Sequence, residues 1–142
     1  MITIKNNEKI FIVHGHNYYM KNEINNLLKE NDYSTILLDK SASKGRTIIE
    51  KFQDYAGEST IAIIIMSGDD RMKNGKLLPR QNVIFEMGYF MALIGRDKVI
   101  LVKNKNVSEL PSDVSGIVYI EYSKGSQSWR ENLMHELNEL IK

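Results

Sequence analysis

A single carboxylate, Glu86, stands in the middle of an otherwise apolar segment. If this segment is helical, the residues one turn away from it are Asn82, Val83, Tyr89 and Phe90. The acid then has polar and aromatic neighbours but no lysine or arginine on its own face. Because a polar group buried without a partner costs roughly 2 to 7 kcal/mol, we expect an unpaired Glu86 in a functional cleft. A structural role, in which Glu86 caps a loop or reaches a distant arginine, remains the alternative.

A lone carboxylate among aromatic residues suits the cleavage of an N-glycosidic bond. Positive charge develops on the ribose as the bond to the base breaks, and a carboxylate in a low-dielectric site stabilises it. In NAD the nicotinamide nitrogen is already quaternary, so the leaving group departs neutral and needs no second acid. The chain has no cysteine, which excludes thiol nucleophiles and thiolate metal sites.

Two histidines, His14 and His16, follow the first apolar run. Since neighbouring residues alternate across an extended strand, we expect the two to face opposite ways and not to share a metal ion. We predict no metal site, and expect both histidines to line a cleft or to hydrogen-bond its loop.

Charged residues occur in two further loops. Lys44 and Arg46 lack the spacing of a P-loop, but two cations beside a dinucleotide could hold its pyrophosphate. Asp69 and Asp70 are more typical of a turn or a helix start than of catalysis.

The elements that must position these residues alternate between strand and helix. Apolar runs predict strands at 10–13, 34–38, 61–66, 98–102 and 117–121. Helical spacing predicts helices at 20–30, 47–55, around Glu86 and at 129–141. Residues 103–116 contain Pro111 and Gly116, and we expect an irregular crossover there.

This order predicts an α/β fold, a five-stranded parallel sheet of flavodoxin-like order 2-1-3-4-5 with helices on both faces. Ligands bind such sheets at the carboxyl ends of the strands, where the winding reverses between the first and third strands. Four segments should meet there: 14–17, 39–46, 67–70 and the start of the Glu86 helix.

Composition narrows the class of protein. The 142 residues fit a single domain, 1–142. A formal net charge of +1, without a long basic run, argues against a nucleic-acid partner. No apolar run approaches the length of a membrane span, so we expect no membrane contact by this segment. The lack of cysteine agrees with a reducing compartment, and the cytoplasm is the expected location.

Three motifs carry a family resemblance: residues 11–17 (FIVHGHN), residues 38–40 with 44–52 (LDK and KGRTIIEKF), and residues 80–90 (RQNVIFEMGYF). Together they resemble the bacterial TIR-like domains of anti-phage effectors of the CBASS and Pycsar kinds, including those fused to STING-like cyclic-dinucleotide sensors. The third motif is the most specific, and the likeness runs from about Lys9 to the C-terminus.

The resemblance implies a TIR fold and an NAD glycohydrolase that assembly switches on, with nicotinamide and linear or cyclic ADP-ribose as products. It makes Glu86 the catalytic residue, requires no cofactor beyond NAD as substrate, and equates residues 39–46 with the BB loop that joins neighbouring TIR domains. An aromatic residue should lie beside nicotinamide, and Tyr18, Tyr19 or Phe90 could serve. The candidate substrate-binding residues are His14, Gly15, His16, Asn17, Tyr18, Asp39, Lys44, Arg46, Ser67, Asn82, Tyr89 and Phe90.

The expected partners are other TIR domains and a cyclic-nucleotide sensor, such as a STING-like domain. We find no sensor in the sequence and expect an excised domain or one recruited by a separate partner. Two other functions stay open. The run around Glu86 is also similar to the nucleophile segment of nucleoside 2-deoxyribosyltransferases, and a non-catalytic TIR interaction module would use Glu86 only structurally.

Overall fold

The computed structural model describes residues 8–38, 48–114 and 117–141. Its strands are β1 (Lys9–Val13), β2 (Ser34–Leu37), β3 (Ile61–Met66), β4 (Asp70–Arg71), β5 (Leu77–Leu78), β6 (Val99–Asn104) and β7 (Ile120–Tyr122). Five of them form a parallel sheet of order β2-β1-β3-β6-β7. Counted without the short β4 and β5, this is 2-1-3-4-5, so the predicted flavodoxin-like topology is confirmed.

Helices cover both faces of this sheet. They are α1 (Tyr18–Glu30), α2 (Ile48–Gly57), α3 (Gln81–Ile94) and α4 (Ser128–Ile141). Helices α1 and α4 pack on one face, and α2 and α3 pack on the other. No helix in the described ranges is long and apolar enough to cross a bilayer.

The central strand β3 is uniformly apolar because helices cover it on both faces. Ile61, Ile63 and Ile65 join the cluster beneath α1 and α4, whereas Ala62, Ile64 and Met66 join the cluster beneath α2 and α3. All six are buried. Because a strand turns successive side chains to opposite faces, a strand covered by helices on both sides needs an apolar residue at every position.

The last strand differs from its prediction. We expected it at 117–121, but β7 spans Ile120–Tyr122, and Val118 is 88% exposed. Its register pairs Val102 with Ile120 and Asn104 with Tyr122, which extends β6 to Asn104. Apolar composition therefore placed this strand too early, because pairing with β6 and not composition sets where it starts.

A short hairpin between β3 and α3 was not predicted. Asp70 pairs with Leu78 and Arg71 with Leu77 in antiparallel register. Two-residue strands carry no readable periodicity. The Asn74-Gly75 pair was the available signal, since Asn-Gly is typical of hairpin turns and Gly75 has a φ of +86°.

Candidate functional site

A cleft of about 580 Å³ opens at the carboxyl ends of β1 and β2. This volume falls within the range of roughly 300 to 1,000 Å³ typical of small-molecule sites. Of the four segments predicted to meet at the point of winding reversal, 14–17 and the start of α3 contribute lining residues, 67–70 does not, and 39–46 lies outside the described residues. Its lining residues are His14, Gly15, His16, Tyr18, Lys21, Leu37, Leu38, Arg80, Asn82 and Val83.

Hydrogen bonds fix the loop between β1 and α1. The side-chain oxygen of Asn17 accepts the backbone N–H of Met20 at 3.1 Å and so caps α1, while its amide donates to the hydroxyl of Ser67 at 3.1 Å. One Asp69 carboxylate oxygen accepts the backbone N–H of His16 at 2.8 Å. Asn17 and Ser67, both predicted to bind substrate, join the ends of β1 and β3, and Asp69 serves the loop, as its sequence context predicted.

The two histidines line the same cleft, so the expectation that they face opposite ways is wrong. The cause is that β1 ends at Val13, and strand alternation no longer applies beyond that residue. The ring of Tyr18 lies 6.2 Å from that of His14 and is stacked 6.0 Å from that of His16, measured between centroids. Within the described residues, no group of three or more His, Asp or Glu could hold a metal ion.

Of the aromatic candidates, the structure brings only Tyr18 to the cleft among the described residues. Tyr18 is 53% exposed and lines the cleft wall, whereas Tyr19 does not line it. Each ring has a lysine ammonium over it, that of Lys21 5.2 Å from the Tyr18 centroid and that of Lys124 4.4 Å from the Tyr19 centroid. Phe90 is fully buried, and Tyr89 packs against Phe52 with ring centroids 5.0 Å apart. Tyr89 and Phe90 therefore belong to the packing of α3 on the sheet and its neighbour α2, and do not line the cleft.

Glu86 lies on the predicted helix, α3, and is only 7% exposed. It is one turn beyond Asn82 and Val83, which line the cleft, but Glu86 is not itself one of the lining residues, so the expectation that it lies in the cleft is not met. Its buried neighbours on the same helix, Val83, Met87 and Phe90, give it apolar surroundings. Glu86 does take part in a polar interaction, so the expectation of an unpaired acid is wrong.

Arg80 is a cleft residue that the sequence analysis missed. It is the residue before α3, and its Nε lies 3.3 Å from Asp70 Oδ1. Its Nη2 lies 3.2 Å from Nδ1 of His16. The available signal was its charge, because a cation at a helix N-terminus opposes the helix dipole and needs a compensating partner.

Three candidates, Asp39, Lys44 and Arg46, lie outside the described residues. Leu38, the described residue just before them, lines the cleft. The described part of the site therefore combines cationic groups, an exposed aromatic ring and a nearby buried carboxylate. Such a set can bind a ligand that has an anionic group and a flat ring, and the carboxylate can stabilise a developing cation.

Comparison with known proteins identifies the family. Residues 9–124 match the sequence model of the family described as CAP12/Pycsar effector protein, TIR domain. The chain is 35% identical over 134 residues to the Uncharacterized protein YuaY of Escherichia coli (strain K12), covering 91% of this chain and 44% of that protein. It is 35% identical over 78 residues to the Pycsar effector protein PaPycTIR of Pseudomonas aeruginosa, covering 52% of this chain and 25% of that protein.

The chain thus spans less than half the length of these two relatives. Its fold is similar to the crystal structure of the TIR domain of the Toll-related receptor TRR-2 from Hydra magnipapillata, with a TM-score of 0.64. That superposition covers 93% of this chain and 96% of the other at 14% identity, which shows a shared fold. The fold and the family match agree, and this chain belongs to the TIR domain family of CAP12/Pycsar effectors.

Proposed function

We propose that this domain is an NAD glycohydrolase that releases nicotinamide and leaves ADP-ribose or its cyclic form. The observation that carries the proposal is the position of Glu86, a carboxylate only 7% exposed, one helical turn from the cleft-lining Asn82. Membership of the CAP12/Pycsar effector TIR family supports it, because the sequence motifs of such domains imply this activity. The family assignment alone does not establish it, since a fold hosts many functions.

The proposed mechanism places the substrate in the cleft with a base or nicotinamide ring against Tyr18. His14, Gly15, His16 and Asn82 line the space around it. As the bond between ribose C1′ and the nicotinamide nitrogen breaks, its electron pair goes to nicotinamide, which leaves neutral. The Glu86 carboxylate stabilises the positive charge on the ribose. Water then adds to C1′ and loses a proton, or an adenine nitrogen of the same molecule closes the ring.

The test is the Glu86→Gln variant, which keeps the size of the side chain and removes its charge. Removing one preorganised electrostatic group typically costs about 100-fold to 1,000-fold in rate, so we expect nicotinamide release to fall by that factor at an unchanged melting temperature. Release is followed by chromatography of NAD incubated with concentrated protein. The matched control is Glu136→Gln, an exposed acid on α4. A Glu86→Gln enzyme within about threefold of wild type would exclude the proposed role.

The same incubations separate the alternatives. Exchange of bases between a deoxynucleoside and a free base, with NAD untouched, would favour a deoxyribosyltransferase. The absence of any turnover in concentrated wild-type protein would favour a non-catalytic interaction module.

We further infer that the domain acts as an effector of anti-phage defence through NAD depletion, and that other TIR domains and a cyclic-nucleotide sensor are its partners. The family name and the relative called a Pycsar effector protein support this inference. If assembly completes the site, specific activity should rise steeply with protein concentration. Activity per molecule that stays constant from nanomolar to high micromolar protein, without oligomers, would refute activation by assembly.

A further inference from the structure

The guanidinium group of Arg80 lies in the wall of the cleft, and its described neighbours accept only some of the hydrogen bonds that it can donate. We propose that Arg80 binds the diphosphate of the substrate. This inference rests on the proposed function, because it takes a dinucleotide to be the substrate. It adds a described residue to the phosphate contacts that the sequence suggested only for Lys44 and Arg46.

The hydrogen-bond donors of Arg80 support this role. A guanidinium carries five N–H donors and no acceptor. One N–H of Nη2 points to Nδ1 of His16 at 3.2 Å, so this imidazole nitrogen must be the acceptor. The Nε atom is buried and has no hydrogen-bond partner, although Asp70 Oδ1 lies 3.3 Å away. Most of the N–H donors of this guanidinium therefore have no acceptor among the described residues.

Asp70 and His16 hold the guanidinium of Arg80 in position, one at Nε and the other at Nη2. Asp70 lies on the β4–β5 hairpin and approaches Arg80 from the side of Nε. His16 accepts from Nη2, and its ring stacks on Tyr18. The planar fork of an arginine fixed in this way is suited to two parallel hydrogen bonds with phosphate oxygens.

The location of Arg80 favours an anion in the middle of a bound dinucleotide. Arg80 lies at the start of α3, and Glu86 follows on the same helix. Tyr18 lines the cleft at the start of α1. With adenine against Tyr18 and the nicotinamide-bearing ribose near Glu86, the diphosphate that connects the two halves of the dinucleotide would lie within the part of the cleft that Arg80 lines. The first turn of α3 has no side-chain cap and adds backbone donors to the same region.

The test compares a ligand that carries a diphosphate with one that carries no phosphate. ADP-ribose has one, and nicotinamide riboside has none. Binding of each is measured by calorimetry or by NMR titration at high micromolar protein, for wild type, Arg80→Ala and Arg80→Lys. The matched control is Arg71→Ala, which removes the same charge from an exposed arginine on β4 that does not line the cleft. Melting temperatures show whether each variant is folded.

We expect Arg80→Ala to weaken ADP-ribose binding by about 10-fold to 100-fold, the usual loss for a hydrogen-bonded charge pair. Arg80→Lys should recover part of the loss, because it restores the charge without the planar fork. Arg71→Ala should stay within about twofold of wild type, and nicotinamide riboside should bind all variants equally. An equal loss for both ligands would mean a structural role, and unchanged ADP-ribose binding would also overturn the proposal.

Kinetics separate this inference from the proposed function. NAD hydrolysis that persists in Arg80→Ala with an unchanged KM would overturn the inference about Arg80 without contradicting the proposed glycohydrolase activity. If wild-type protein binds ADP-ribose through Arg80 but leaves NAD intact, the proposed glycohydrolase activity is wrong and the diphosphate site at Arg80 is supported.

Discussion

Gly15 is the position where the smallest possible substitution should disturb the site. A Cβ at residue 15 would lie 2.2 Å from Asp69 Oδ2 and 3.3 Å from Arg80 Cγ. Real Cβ atoms essentially never approach a heavy atom within 3.0 Å, so the carboxylate must move by about 0.8 Å or more. The same oxygen accepts the backbone N–H of His16 at 2.8 Å. A shift of this size directed away from the loop takes that hydrogen bond beyond its useful length.

The expected loss of stability follows from that one contact. A hydrogen bond to a charged group contributes about 1.5 to 3 kcal/mol, and exposure to solvent reduces the figure because water can replace either partner. We therefore expect Gly15→Ala to lower the free energy of unfolding by about 1 to 1.5 kcal/mol. The proposed NAD hydrolysis should suffer more, because His16, Tyr18 and Arg80 are positioned through this loop. A misplacement of about 1 Å can cost about 100-fold in rate.

The assay is a double-mutant cycle between Gly15→Ala and Asp69→Ala, measured by urea unfolding and by nicotinamide release. In the Asp69→Ala background the close contact is gone and the nearest remaining atom is Arg80 Cγ at 3.3 Å. Adding Gly15→Ala there should change stability by less than about 0.5 kcal/mol. Gly57→Ala is the control, because no atom other than those of its chain neighbours and its own helix backbone lies within 4 Å of its added Cβ. A Gly15→Ala penalty that is equally large in both backgrounds would refute the reasoning.

Three further predictions concern other parts of the molecule. Tyr18→Ala should raise the KM for NAD by about tenfold or more through lost stacking, whereas Tyr19→Ala, outside the cleft, should leave it unchanged; equal effects in steady-state kinetics would contradict the assignment of Tyr18. Burial and then the hydrogen bond to Glu23 raise the pKa of Tyr122 above the ordinary value of 10.0, so above about pH 10 the unfolded chain loses this proton while the folded protein keeps it. Stability should then fall by up to about 1.4 kcal/mol per pH unit, and urea unfolding from pH 8 to 11 should show a smaller slope for Tyr122→Phe; an identical slope would exclude Tyr122 as its source. Gly88→Ala, at an exposed position of α3 where no atom beyond its chain neighbours and its own helix backbone lies within 4 Å of the added Cβ, should raise the free energy of unfolding by about 0.5 to 1 kcal/mol. A lower urea midpoint would show that this glycine is needed in the helix.

The sequence was sufficient for the sheet and its order. The uniformly apolar run at β3 and the alternation of strands and helices predicted a parallel sheet covered on both faces, and the structure confirms it. These patterns are local, because burial on two faces requires apolar residues at consecutive positions. The place of Glu86 on α3 followed from the same kind of pattern.

The sequence was less informative about the short strands, whose positions depend on hydrogen-bonded pairing with a neighbouring strand. The start of β7 at Ile120 depends on its register with β6, and the β4–β5 hairpin is held by two residue pairs. Neither leaves a periodic signal in a run of two or three residues.

Only the tertiary structure decided how the cleft is lined. His16 meets Asp69 from 53 residues away and Arg80 from 64 residues away. These contacts turn the loop after β1 so that His14 and His16 share one cleft, and they bring Arg80 into its wall. Strand periodicity ends at Val13, and beyond that residue the direction of a side chain depends on what the rest of the chain places beside it. The sequence by itself therefore determined which edge of the sheet carries the cleft, and long-range packing decided which side chains line it.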